Sequence, residues 1–84
     1  MNMDKAIVIF NNCLDNTVVD LEIPLDITVS ELIFGLNEAY KLNIDTSTIN
    51  SCYLKSENPI ALLRGNKTLR QYGIRNGSII YYSI

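Results

Sequence analysis

The sequence contains no histidine and no tryptophan, and only two cysteines and two prolines occur among its 84 residues. The absence of histidine removes the side chain that most often transfers protons near neutral pH. The cysteines, Cys13 and Cys52, lie far apart without a CxxC spacing, so we expect reduced thiols rather than a metal or redox motif. The acids are scattered, and no glycine-rich phosphate loop is present. The sequence therefore predicts a non-enzymatic protein that uses no metal and no cofactor.

Long apolar runs are also absent. The longest, such as residues 6–10, are far shorter than the roughly 18 residues that a membrane span requires. The first residues include an acid and a base, and no apolar segment of sufficient length follows them, so a signal peptide is not expected. The hydrophobic fraction of 48% is that of an ordinary globular protein. We therefore expect one cytoplasmic domain over residues 1–84 that does not insert into a membrane.

The charge is small in total but unevenly distributed. The net charge of −2 argues against nucleic acid as a partner. Residues 1–50 contain eight acids and two bases, whereas residues 51–84 contain one acid and five bases, so the halves carry −6 and +4. Two interpretations stay open: an ordinary solvated surface, or a basic face that meets an acidic partner. That partner is either another protein or the acidic half of a second copy in a homo-oligomer.

One segment has a clear helical period. Thr28 followed by Glu31 forms a capping box, in which each side chain satisfies a backbone N–H of the first turn. The apolar residues after it recur at the spacing that gathers them on one helix face. These residues are Val29, Leu32, Ile33, Leu36 and Tyr40. The pattern predicts a helix that begins at Val29, reaches about Leu42 and is stopped by Asn43.

The remaining segments have the features of strands and turns. Residues 5–10 and 17–23 are rich in β-branched residues and are joined by a short polar connection, which predicts an antiparallel hairpin. Both faces of the first strand are apolar, so the sequence does not say which one is buried. After the helix, the sequence predicts two short strands at residues 51–55 and 60–64 and a longer final strand at residues 78–84.

The order of these elements and several local motifs resemble ubiquitin and its relatives. The segment TLRQYGI at residues 68–74 is similar to the one that precedes the last strand of ubiquitin, and Pro24 before the Thr28 cap also matches. The resemblance implies an α+β, ubiquitin-like β-grasp, with a mixed sheet of four to five strands packed on one helix of about residues 29–42. Modifiers and sulfur carriers of this fold act through a Gly-Gly tail. Since the sequence ends at Ile84 without one, that alternative is disfavoured.

Among the forms without a tail, this chain resembles the YukD/EsaB family. The residues that carry the resemblance are Asp20-Leu21 in the second strand and the segment GIRNGSI at residues 73–79. Members of that family are ubiquitin-like accessory proteins of the type VII secretion system of Gram-positive bacteria. The resemblance implies a non-catalytic role through protein partners. These are expected to be the membrane ATPase of the secretion system or an associated membrane component, which would hold the chain at the inner face of the membrane.

The expected binding surface is the outer face of the sheet. If Ile80 faces the helix, then Tyr81 faces outward, and Tyr53 lies near it on the same side. Tyrosine anchors protein interfaces at low entropic cost, and Lys55, Arg64 and Arg70 are expected to border this patch. The alternative is that the two tyrosines only shield the sheet as a cross-strand pair.

Overall fold

The computed structural model describes residues 4–45, 47 and 52–82. Within these residues the chain forms five strands and one helix: β1 (Lys5–Asn12), β2 (Thr17–Pro24), α1 (Val29–Tyr40), β3 (Leu54–Glu57), β4 (Ala61–Leu63) and β5 (Ile79–Tyr82). The strands lie in one sheet in the order β2-β1-β5-β3-β4. β1 and β5 are parallel, and the other neighbouring strands are antiparallel. This is the predicted α+β arrangement, with a mixed sheet of five strands.

The start of α1 and its buried face agree with the prediction. The Thr28 hydroxyl accepts a hydrogen bond from the Glu31 N–H at 3.1 Å, and the Glu31 carboxylate accepts one from the Thr28 N–H at 3.1 Å. The buried residues of the helix pack in one core with those of the sheet. Because the capping box satisfies backbone groups of the first turn, the helix starts at a position that can be read from the sequence.

The end of α1 differs from the prediction. The helix ends at Tyr40, before Leu42 and the expected stop at Asn43. Lys41 adopts the left-handed conformation with φ 53°, and its N–H donates to the Asn37 carbonyl. The Leu42 side chain is buried. The left-handed conformation of Lys41 therefore ends the helix and lets the side chain of Leu42 pack in the core.

The sheet buries one face only. On β1, Ala6, Val8 and Phe10 are buried against the helix, whereas Ile7 on the opposite face is 52% exposed. The structure thus settles which face of β1 is buried. We call the side of the sheet turned away from α1 the outer face. Among the described residues no second layer covers it.

The later strands are shifted or shorter than predicted. The third strand was expected at residues 51–55 but is Leu54–Glu57. Ser56 lies on its buried side, where its hydroxyl donates to the Pro59 carbonyl at 2.8 Å. The hydrogen bond to Pro59 replaces one that the hydroxyl would make to water, so Ser56 can be buried. The sequence did not predict a polar residue at a buried strand position. β4 falls within the predicted range, and β5 begins one position late; residues 83 and 84 of the predicted last strand lie outside the described residues.

The cysteines and two of the tyrosines differ in burial. Cys52 is buried and Cys13 is exposed. Tyr40 and Tyr72 are partly buried at the margin of the core. Among the described residues, no helix is both long and apolar enough to cross a membrane.

We predict that Ser78→Ala destabilises the fold by about 1–3 kcal/mol, because two backbone groups lose a buried hydrogen-bond partner. The Ser78 side chain is fully buried, donates to the Asn58 carbonyl at 2.6 Å and accepts from the Arg75 N–H at 3.0 Å. Urea denaturation of the variant measures the loss in free energy of unfolding. Ser30→Ala is the matched control. The Ser30 hydroxyl is only partly buried and makes one hydrogen bond, to the Gly65 carbonyl at 2.9 Å, so we expect a smaller effect.

Candidate protein-binding surface

The register of the strands places three of the predicted site residues together on the outer face. Tyr81 in β5 lies directly opposite Lys55 in β3 on one side and Asn11 in β1 on the other. Tyr53 lies two positions before Lys55, on the same side of the chain, and is 41% exposed. Tyr53, Lys55 and Tyr81 therefore form one cluster, as the sequence predicted.

A shallow groove of about 400 Å³ runs beside this cluster. Its walls are mostly apolar and belong to β3, β4, the turn between them and Tyr81. The lining residues are Lys55, Ser56, Glu57, Ile60, Ala61, Leu62 and Tyr81. Ile60 in the turn is 89% exposed, and Leu62 in β4 is 43% exposed. The groove thus combines aliphatic side chains with one base, Lys55, and one acid, Glu57.

The phenol of Tyr81 is held in a partly desolvated position. Burial raises the pKa of Tyr81, and the hydrogen bond with Glu57 and the negative charge of Glu57 raise it further. The hydroxyl is thus the donor in the hydrogen bond with Glu57, which holds the ring at the groove. An aromatic ring with a polar tip at the margin of an apolar groove is the arrangement that interface anchors use.

Arg64 lies at the end of the edge strand β4. It is exposed, and alternation along the strand places it on the same side as Leu62. Its backbone is fixed, because the Tyr72 hydroxyl donates to the Arg64 carbonyl at 2.9 Å. Arg64 therefore lies on the outer side of the chain beyond Leu62 but is not among the residues that line the groove. That it borders the tyrosine patch stays a prediction.

The expectation that Arg70 borders the same patch is wrong. Its guanidinium donates to Asp26 at 2.7 Å and to Asp4 at 2.8 Å. These two acids flank the beginning of β1 and the end of β2, whereas Tyr81 lies beside Asn11 near the other end of β1. At about 3.3 Å per residue, the two places are roughly 20 Å apart along the strand. Arg70 instead joins the segment before β5 to the hairpin.

We predict that Arg70→Gln lowers the melting temperature at neutral pH and that this difference from the wild type disappears in acid. The hydrogen bond from Arg70 is the main cause that lowers the pKa of Asp26 below its ordinary value. A carboxyl whose folded pKa is lowered stabilises the fold above its unfolded pKa of about 3.9, and this contribution is lost as pH falls through the folded pKa. Thermal unfolding of both proteins from pH 7 to pH 2 measures the effect. A difference that persists unchanged at pH 2 would contradict it.

Sequence reasoning missed part of this surface. Ile7, Ile60 and Leu62 are exposed apolar residues on or beside the outer face, yet their pattern predicted only strands. Ala61, Leu62 and Leu63 are all apolar, so the sequence does not show that the Leu62 side chain points to the outer face. The signal that was available is the Asn58-Pro59 pair, which marks a turn and so places Ile60 at an exposed corner.

Known structures with a similar fold include the C-terminal ubiquitin-like domain of mouse tubulin-specific chaperone E. It superposes with a TM-score of 0.69 at 13% identity, over 96% of this chain and 87% of that chain. A de novo designed protein based on ubiquitin superposes with a TM-score of 0.65 at 16% identity, over 92% of this chain and 84% of that chain. These similarities show a ubiquitin-like fold.

Comparison with curated proteins gave no match. A comparison with protein families gave a match over residues 7–81 to the family described as WXG100 protein secretion system (Wss), protein YukD. This range includes the helix and all five strands except the first two residues of β1 and the last residue of β5. The match confirms the resemblance inferred from the motifs at residues 20–21 and 73–79. The chain belongs to the YukD family of the WXG100, or type VII, protein secretion system.

Proposed function

We propose that this protein is a non-catalytic accessory or regulatory protein of the type VII secretion system and that it binds a protein partner through its outer face. The observation that carries the proposal is the apolar groove beside Tyr81, together with the exposed side chains of Ile60 and Leu62. Contiguous exposed apolar surface with a polar border is typical of interaction sites.

The alternative in which the tyrosines only shield the sheet is less well supported. Tyr53 is a diagonal neighbour of Tyr81, so the two rings can touch but are not directly opposed. Tyr81 lies opposite Lys55 and Asn11, neither of which is aromatic. Shielding would also leave the exposure of Ile60 and Leu62 unexplained.

The chemistry of the groove describes its partner. Its aliphatic walls accept an apolar side chain. Lys55 in the groove and the exposed Arg64 after β4 favour an acidic group on the partner. We propose that this partner is the membrane ATPase of the secretion system or an associated membrane component. The protein would then act in the cytoplasm, at the inner face of the membrane.

Affinity capture tests this proposal. We expect the tagged protein to recover a membrane component of the secretion system from detergent-solubilised membranes and cytosol of its host, identified by mass spectrometry. The double variant Lys55→Glu/Tyr81→Ala is expected to recover at least about tenfold less, because two central contacts are removed or reversed. Nuclear magnetic resonance spectra of the variant verify its fold. Unchanged recovery would refute the surface, and recovery of an adenylating enzyme or covalent conjugates would refute the function.

A further inference from the structure

The second surface that invites a partner is the free edge of the sheet at β2. β2 pairs with β1 only, in a register that places Pro24 opposite Lys5. Proline has no N–H, so the pair of Pro24 and Lys5 is not a hydrogen-bonded one. In the neighbouring pair, the Leu25 N–H donates to the Asp4 carbonyl at 3.0 Å. Hydrogen-bonded and non-hydrogen-bonded pairs alternate along an antiparallel ladder. The N–H and C=O groups of Val18, Asp20 and Glu22 consequently point away from the sheet.

The opposite edge is less open. β4 has only three residues, and the Tyr72 hydroxyl bonds both the carbonyl and the N–H of Arg64 at its end, at 2.9 and 3.4 Å. β2 has eight residues, and no hydrogen bond within the described part of the chain uses its outward backbone groups. A strand that adds to this sheet therefore has its template at β2.

The two sides of β2 specify the side chains of such a strand. Toward the outer face, β2 presents the carboxylates of Asp20 and Glu22. Glu22 forms an ion pair with the half-exposed Lys5, with 3.5 Å between Nζ and Oε1. Toward the helix it presents Val19 and Leu21, which are only partly buried at the margin of the core. A neighbouring strand with bases on one side and aliphatic residues on the other would neutralise the acids and complete the apolar cover.

We propose that β2 binds an extended protein segment in which basic and aliphatic residues alternate, as a sixth strand of the sheet. This surface is separate from the groove of the proposed function, which lies at the β3 and β4 side. A second copy of the chain does not fit, because antiparallel pairing of two β2 strands brings the acidic positions 20 and 22 of both copies together, and like charges opposite each other destabilise the pair. Asp20 and Glu22 thus disfavour self-pairing and favour a basic strand.

The probe is a short blocked peptide in which lysine and valine alternate, added to the isotope-labelled protein at low ionic strength. We expect shifts of the amide signals of β2 and slower hydrogen exchange at Val18, Asp20 and Glu22, since these N–H groups become hydrogen-bonded. The variant Asp20→Lys/Glu22→Lys is expected to bind at least about tenfold more weakly, since two attractive pairs become repulsive. If that variant fails to fold, Asp20→Asn/Glu22→Gln replaces it, with a smaller expected loss.

Two control peptides separate strand addition from simple charge attraction. A peptide with glutamate in place of lysine is expected not to bind. A lysine peptide with methyl groups on alternate backbone nitrogens keeps its charge but cannot complete the ladder, so its affinity is expected to fall at least about tenfold. Equal binding of the methylated peptide, shifts confined to Tyr53 and Tyr81, or no binding at about millimolar peptide would each overturn the proposal.

Discussion

Replacing Phe10 with alanine is expected to lower the free energy of unfolding by about 3–5 kcal/mol. Phe10 is 1% exposed, and its ring centroid lies 5.4 Å from that of Tyr40 at the margin of the helix. The substitution removes a large side chain from the layer between sheet and helix and leaves a cavity there. Since native proteins are stable by only about 5–15 kcal/mol, we expect a partly unfolded variant at 37 °C.

Ile7→Ala is the matched control for this prediction. Ile7 lies in the same strand, but on the outer face, where it is 52% exposed. We expect its loss to cost less than about 1 kcal/mol. Urea denaturation of the two variants compares them. If Ile7→Ala were as damaging as Phe10→Ala, the outer face would be covered in solution, and the proposed binding surface would not be free.

Leu62→Lys is expected to weaken binding of the partner at least about 30-fold while leaving the fold intact. Leu62 lines the groove and is 43% exposed, so a lysine there is tolerated by the free protein but places a charge in a desolvated interface. Substituting a hot-spot residue at the centre of an interface costs about 2 kcal/mol or more of binding free energy. A loss of about 2 kcal/mol corresponds to an affinity about 30-fold lower. Isothermal titration calorimetry with the purified partner measures the affinity.

The control for Leu62→Lys is Phe34→Lys. Phe34 is 59% exposed, but it lies on α1, on the other side of the molecule. The same charge introduced there is expected to leave the affinity unchanged. A loss of binding in Phe34→Lys together with normal binding by Leu62→Lys would place the interface on the helix.

The helix and the hairpin were predictable because local rules determine them. The capping box at Thr28 fixes the start of α1, and the alternation of Val19, Leu21 and Ile23 fixes the face of β2. The end of α1 was not predictable in the same way, since it depends on how Leu42 reaches the core. Likewise, the extent of β3 depends on a buried hydrogen bond of Ser56, which no periodicity shows.

The candidate site was only partly predictable for a related reason. Alternation correctly placed Tyr53, Lys55 and Tyr81 on one face, because each lies next to a residue that must be buried. The position of Arg70 depends on contacts with Asp4 and Asp26, which are distant in sequence, so its structural role appeared only in three dimensions. Ile60 owes its exposure to the turn at residues 57–60, which the sequence indicates but does not orient.

Photo-crosslinking in the host tests the central claim most directly. A photoreactive phenylalanine derivative is placed at Leu62 in the groove or, in a second strain, at Phe34 on the helix. We predict that the probe at position 62 forms a crosslink to a membrane component of the type VII secretion system and that the probe at position 34 does not. A crosslink to that component from position 34 alone would contradict the assignment of the outer face as the binding surface.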